Sequence, residues 1–351
     1  MIAQTPVKRY GDSRPFPQCM RPSSKALLAY AGVPALLVTD LTNIRYITGL
    51  ELSWGMLLAL PKGFVLYVDP RYAEMAHARA KEGIIVKDAK AMEADLKRLK
   101  NCGFEEEHVS VARMQRWKKA FKTTKFVPSG EAIGHFRRQK DDDELQLLKR
   151  AERITKEMLR RVPSALRKGT TERDIGWKLE TWARELGADK VAFEPIVAFG
   201  THTSRPHHRP TMRALRKGDM VQIDVGAVAG GYCADMAAVF FTAALTPEQE
   251  RMYRVINEAK DAALDAIRPG ALNADLDKLA RDILEGHGYK KEEAMPHALG
   301  HGVGLEVHEG VTLSSRGKKE PLLEREVLAV EPGIYLPGKF GMREEQIITV
   351  R

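Results

Sequence analysis

The stretch VQIDVGAVAGGYCADMAAVFF, residues 221–241, sets two aspartates, Asp224 and Asp235, inside apolar, strand-like runs. Gly226, Gly230 and Gly231 lie between them and permit a tight reversal. If the runs pair as a hairpin, both carboxylates can converge on one face. Two buried carboxylates that close repel unless a proton or a cation stands between them. Taken alone, the stretch equally allows one aspartate in the turn and the other capping a neighbour.

Further along, HALGHGVGLEVHE (297–309) brings His297, His301 and His308 into one apolar segment interleaved with Gly300, Gly302 and Gly304. LAVEPGIYL (328–336) places Glu331 in an apolar strand directly before Pro332-Gly333, and GMREEQIITV (341–350) sets Arg343, Glu344 and Glu345 at the start of the last strand. An acid inside an apolar strand is costly unless paired or metal-bound. Only one of the adjacent glutamates can face inward. Glu345 shares a face with Ile347 and Thr349, and periodicity leaves open which face is inside. One imidazole and four carboxylates form a hard, oxygen-rich set suited to Mn²⁺, Co²⁺, Fe²⁺ or Zn²⁺. Four carboxylates exceed what one ion needs. A pair of ions can lower the pKa of a water and polarise a carbonyl, which is aminopeptidase chemistry.

Outward from these segments, residues 139–351 repeat a rhythm of two helices followed by strands. Helices are expected near 141–168 and 171–186, then strands near 220–228 and 235–243. A second round opens at Thr246-Pro247-Glu248, with strands near 303–308, 327–336 and 345–350. The order suggests an internal duplication around a central site. The acidic run QKDDDEL (139–145) starts the first long helix. Residues 1–138 alternate helix and strand patterns, which predicts an α/β domain with a central sheet. Helices are expected over 23–33, over 71–83 up to Gly83 and over EADLKRLKN (93–101). Strands are expected at 35–40, on both sides of Pro61-Lys62-Gly63, at 84–89 and at HVSVAR (108–113). The fold class is therefore α/β (α+β) in two domains.

The chain has 351 residues, 44% hydrophobic and 29% charged, with a formal net charge of +9. That length accommodates two domains. No apolar run approaches the ~20 residues of a membrane helix. The first twenty residues lack a signal-peptide core, so a cytoplasmic protein is expected. Cys19, Cys102 and Cys233 form neither a disulfide framework nor a metal-type spacing and read as reduced thiols. The basic run RMQRWKKAFKTTK (113–125) reads as a solvated helical face, so neither nucleic acid nor membrane is an expected partner.

Together the segments resemble the pita-bread metallopeptidases, in the prolidase and aminopeptidase P branch, over nearly the whole chain. Asp224 falls in the family's Ile-Asp-x-Gly segment, with Asp235 eleven residues on. His301 lies in Gly-His-Gly-x-Gly, Glu331 in Glu-Pro-Gly and Glu345 in the closing Gly-x-Arg-x-Glu. VTDLTNIRYITGL (38–50) and LYVDPRYAEMA (66–76) look like the creatinase/prolidase N-terminal domain.

The resemblance implies a dinuclear-metal peptidase that removes the residue preceding proline from a peptide's N-terminus and also takes Xaa-Pro dipeptides. A strict Xaa-Pro dipeptidase and a retired binding module are the alternatives. It implies two divalent ions, Mn²⁺ foremost with Co²⁺ or Zn²⁺ possible, on Asp224, Asp235, His301, Glu331 and Glu345. It also implies a homodimer. Glu331 doubles as the proton carrier. His207, in SRPHHRPT (204–211), matches a substrate-contacting histidine, while His208 reads as an ordinary exposed residue. His308 matches a histidine on the substrate carbonyl, His297 one linked to proton movement, and Arg343 braces the carboxylates.

The chain departs from the family pattern at Ala237, Ala238 and Thr312. Ala237 and Ala238 replace residues that usually carry a hydroxyl and a guanidinium. Thr312 stands where strict prolidases carry an arginine, with Arg316 nearby as a substitute. Trp54 reads as a core residue, the alternative being an aromatic that closes over the substrate.

Overall fold

The computed structural model describes residues 21–290 and 294–351. Cys19 and the leading segment lie outside the described residues. Two compact units divide the chain, Met1–Gly130 and Glu131–Arg351.

The first unit contains α1 (Ser24–Ala31), β1 (Leu36–Val38), α2 (Leu41–Thr48), β2 (Met56–Leu60), β3 (Gly63–Val68), α3 (Pro70–Arg79), β4 (Ile84–Asp88), α4 (Met92–Lys97), β5 (Asn101–Phe104), α5 (Val111–Ala120) and β6 (Lys125–Pro128). Its six strands form one sheet in the order β4-β3-β2-β1-β5-β6. β2 and β3 pair as the antiparallel hairpin expected around Pro61-Lys62, and α3 and α5 each cross over between parallel neighbours. Trp54 packs, partly buried, against the core of this unit.

Two expectations fail here. HVSVAR is not a strand. Ser110 accepts the Arg113 amide at 3.2 Å and caps α5. Beyond that cap the chain packs at helical spacing, Met114, Trp117 and Phe121 meeting the core. An N-cap and a 3.6 period overrode β-branched composition. Helix α3 ends at Arg79, because Ala80 leaves helical geometry before Gly83 is reached. The lysines of α5, Lys118 and Lys119, are exposed, as a solvated face requires.

The second unit opens with α6 (Ala132–Arg138) and the 24-residue α7 (Asp142–Ala165), started by an Asp141/Glu144 capping box. Next come α8 (Glu172–Glu185), β7 (Lys190–Val191), β8 (Ile196–Phe199), β9 (Met220–Val225), β10 (Ala227–Ala229), β11 (Tyr232–Cys233) and β12 (Met236–Phe241). The second half has α9 (Pro247–Ala266), α10 (Asn273–Gly286), β13 (Gly300–Gly302), β14 (Glu309–Leu313), β15 (Val327–Val330), β16 (Gly333–Leu336), β17 (Phe340–Arg343) and β18 (Gln346–Thr349). In the first half, α7 and α8 cover a core that includes Val221, Ile223 and Val225. In the second, α9 and α10 cover one that includes Leu328, Val330 and Met342. The principal sheets run β12-β9-β8 and β14-β13-β15-β18. Among the described residues, no helix is long and apolar enough to cross a membrane.

The strand expected near 303–308 is a bend flanked by β13 and β14. Glu309 folds back on it, its Oε2 accepting the Glu306 amide at 3.2 Å, and its carboxylate fills the space a side chain at Gly304 would need. The run 327–336 is two strands in different sheets, broken at Glu331-Pro332, where proline has no amide hydrogen to continue a ladder.

Candidate metal centre

β9 and β12 pair antiparallel with Met236 opposite Val225 and Ala237 opposite Asp224. The reversal between them uses Gly230 and Gly231, both at positive φ. Gly226 serves another purpose. A methyl there would stand 1.8 Å from the Ala234 carbonyl oxygen, so only glycine lets the two backbones approach. Asp224 and Asp235 are thereby brought onto one buried site, each 6% exposed.

The second half supplies the opposing wall. His301, in β13, lies opposite Ala329 of β15. Its Nε2 is 3.6 Å from Asp235 Oδ2 and 3.6 Å from Glu331 Oε1. The Glu331 amide donates to Leu299 O at 2.8 Å, fixing the end of β15 beside β13. Glu345 is anchored through its amide to Ala237 O at 3.1 Å and is 5% exposed, so it is the inward member of the glutamate pair. Glu344 turns away and accepts the Val239 amide at 3.1 Å. Ligand atoms of Asp224, Asp235 and Glu345 lie within 4.8 Å of one another, as do those of Asp235, His301 and His308.

The charge balance shows what this cluster is suited to hold. Asp224 Oδ1, Asp235 Oδ1 and both Glu345 oxygens are buried without a hydrogen-bond partner among the described residues. Burial and the neighbouring acids push the Asp235 and Glu345 carboxyls well above the usual carboxylate range. Burial pushes Glu331 up to about 7, against the pull of Arg343. His301 moves the other way, to about 3, through burial and then His308, so its imidazole is neutral and able to ligate. Unpartnered oxygens facing each other around a neutral imidazole fit divalent cations.

Arg343, 3% exposed, donates to Asp224 Oδ2 and, through Nη1, to the Tyr335 hydroxyl at 3.1 Å. Its Nε is 3.8 Å from Glu331 Oε2. Its backbone is held by Gln222, whose Oε1 accepts the Arg343 amide at 2.8 Å. Tyr335 also meets His297 Nε2 at 3.1 Å. Burial and Arg343 lower His297 to about 4. His308 stacks edge-on against His301, with ring centroids 4.0 Å apart. The exposed His207 and His308 line a cavity of about 700 Å³ with Asp224, Asp235, Glu331, Arg343, Thr312 and Arg209. Among the described residues the lining cations are Arg209 and Arg343, and Arg316 is not one of them.

All nine sequence-expected residues, the four acids, His301 and the four supporting groups, thus fall around one site. His208 differs from expectation. It is 6% exposed and meets Glu172 at 2.9 Å, because a buried carboxylate on α8 offers it a partner. Sequence reading also missed Gln222 and Tyr335. Gln222 shares a strand face with Asp224 in β9, and that alternation was the available signal, whereas Tyr335 lies beyond the break at Glu331-Pro332 and carried none. Glu172 carried no such signal.

Residues 146–351 match the metallopeptidase family M24, and residues 23–139 match the creatinase/prolidase N-terminal domain. An uncharacterized peptidase of Bacillus subtilis is 30% identical over 92% of this chain and 93% of its own length. The solved Xaa-Pro dipeptidase of Bacillus anthracis superposes with a TM-score of 0.87 at 29% identity, covering 93% of each chain. The X-Pro aminopeptidase of Thermotoga maritima gives 0.82 at 32% identity, covering 91% of this chain and 93% of its own.

Proposed function

This chain belongs to metallopeptidase family M24, and from that membership we propose that it hydrolyses the bond preceding proline at the N-terminus of peptides, Xaa-Pro dipeptides included. The similar aminopeptidase and dipeptidase support the substrate class. The observation that carries the reading is the set of unpartnered, buried carboxylate oxygens on Asp224, Asp235 and Glu345 facing His301 and Glu331.

Asp224, Asp235, His301, Glu331 and Glu345 would hold two divalent ions, Mn²⁺ foremost. When bound, the ions supply Lewis acidity that activates water and polarises the scissile carbonyl. Glu331 accepts the attacking water's proton and passes it to the departing proline nitrogen. His207 and His308 donate to the substrate across the cavity and steady the charge that develops on the carbonyl oxygen. Arg343 holds Asp224 in position through their hydrogen bond. His297, neutral and bonded to Tyr335, fixes the wall beside it. On the family resemblance alone, the working form is a cytoplasmic homodimer.

The test offers metal-stripped protein Ala-Pro, Ala-Pro-Pro-Ala and Ala-Ala-Ala, with and without Mn²⁺, and reads products by mass spectrometry. Metal-dependent release of alanine from the two proline peptides alone is the expected result. Cleavage of Ala-Ala-Ala at a similar rate, or no cleavage with metal bound, overturns the substrate assignment.

A further inference from the structure

A second polar cluster lies beside the metal centre and is unused by the chemistry above. Glu172, the first residue of α8, is fully buried. Its Oε1 accepts the Phe199 amide at 2.8 Å and meets His202 Nδ1 at 2.8 Å. Its Oε2 accepts the Thr211 hydroxyl at 2.6 Å and the Thr211 amide at 3.0 Å, and meets His208 Nε2 at 2.9 Å. Two histidines and an acid could in principle ligate a metal. Here, however, the carboxylate is saturated by five donors, and both rings bond directly to its oxygens. The cluster is a hydrogen-bond hub.

Every one of those donors belongs to the segment 199–211, which carries His207. The α8 backbone holds the end of this segment and the residues just after it, with Arg173 N donating to Thr211 O and Glu172 N to Arg213 O, each at 3.1 Å. On the other side, Arg343 Nη1 donates to Pro206 O at 3.4 Å. His207 therefore sits between two fixed neighbours. Pro206 is held by the arginine that also binds Asp224, and His208 is held by Glu172. The His207 side chain is exposed and lines the cavity.

We infer that Glu172 is a positioning residue for His207, forming with Arg343 a two-sided clamp that fixes where His207 meets substrate. The clamp rests on the peptidase reading for its catalytic consequence and on the hydrogen bonds for its existence. Glu172→Gln keeps the shape but turns one acceptor into a donor, facing either Phe199 N and His202 or Thr211 and His208.

The experiment compares wild type, Glu172→Gln, His207→Ala and the double variant on Ala-Pro-Pro-Ala with Mn²⁺, with metal content measured in parallel. His208→Leu and His208→Gln form a milder second pair. Hydrogen exchange over 205–211, read by mass spectrometry, reports the clamp without activity. Expected are a fall in kcat/KM of about 10- to 100-fold for Glu172→Gln at unchanged metal content, and faster exchange over 205–211. In the His207→Ala background the further loss should be less than about 3-fold. His208→Gln, which keeps a donor, should retain more activity than His208→Leu. The same large factor in both backgrounds, or unchanged exchange, overturns the inference. If wild type cleaves no proline peptide, the substrate reading fails, and the exchange result alone decides the clamp.

Discussion

Arg343 donates to Asp224 Oδ2 and leaves Asp224 Oδ1 without a partner among the described residues. One guanidinium thus orients the carboxylate while its other oxygen stays free for a cation. Arg343→Met is expected to weaken metal binding and lower kcat/KM by about 10- to 100-fold. Arg343→Lys should restore little, because a point charge cannot serve Asp224, Tyr335 and Pro206 O together. Competition against a chelator measures the affinity, and unchanged affinity in Arg343→Met contradicts the bracing role.

Gly226 is the steric keystone of the hairpin that gathers the two aspartates. Gly226→Ala would set a methyl 1.8 Å from Ala234 O, with backbone as the obstacle. A loss of more than about 2 kcal/mol in unfolding free energy is expected, together with loss of metal. Denaturant titration of the metal-loaded protein checks this, and a neutral result shows that the strands can part without cost.

Metal binding should release protons from carboxylates and none from His301. Glu331 is pushed up to about 7, and Asp235 and Glu345 are raised well beyond their ordinary range, so these acids hold protons near neutral pH until a cation displaces them. His301, at about 3, is already neutral. Apparent affinity must therefore rise with pH through about 7 and fall below it. Calorimetry in buffers of different ionisation enthalpy measures the proton count. Zero protons released at pH ~6 contradicts the picture.

Away from the metal centre, Glu144 closes the capping box of α7 and meets the Tyr232 hydroxyl at 2.8 Å. Burial pushes its carboxyl from 4.5 to about 7. The folded state thus holds this proton more tightly than the unfolded chain. The resulting stabilisation is complete below pH ~4.5 and is lost as pH rises through ~7, on the order of 3 kcal/mol at most. Glu144→Gln keeps the box and removes the slope. The difference in stability between wild type and variant should therefore change across that window, and a constant difference contradicts the assignment.

Much of this site was legible in the sequence because ionisable groups in apolar strands are costly without a reason. Asp224, Asp235 and Glu331 announced themselves that way, the choice of Glu345 over Glu344 came from the family motif, and the period of two associates Gln222 with Asp224. Long helices with capping boxes were equally visible. His208 was not, because its burial depends on Glu172, thirty-six residues earlier in the chain. Nor was the bend at 303–308, across which Glu309 reaches back to accept the Glu306 amide. HVSVAR misled because its composition is strand-like while its serine caps the helix that begins there. Local pattern identifies the groups that need a partner, and the tertiary fold decides which partner they find.

The central claim is that five side chains hold two metal ions that the reaction requires. The most direct measurement is native mass spectrometry of Mn²⁺-loaded protein, with peptidase activity assayed on the same samples, for wild type, Asp235→Ala and Glu345→Gln. Wild type is expected to carry two ions and to be active, and each variant to carry fewer ions and to lose activity. An Asp235→Ala protein that carries two ions and still cleaves Ala-Pro-Pro-Ala would contradict it.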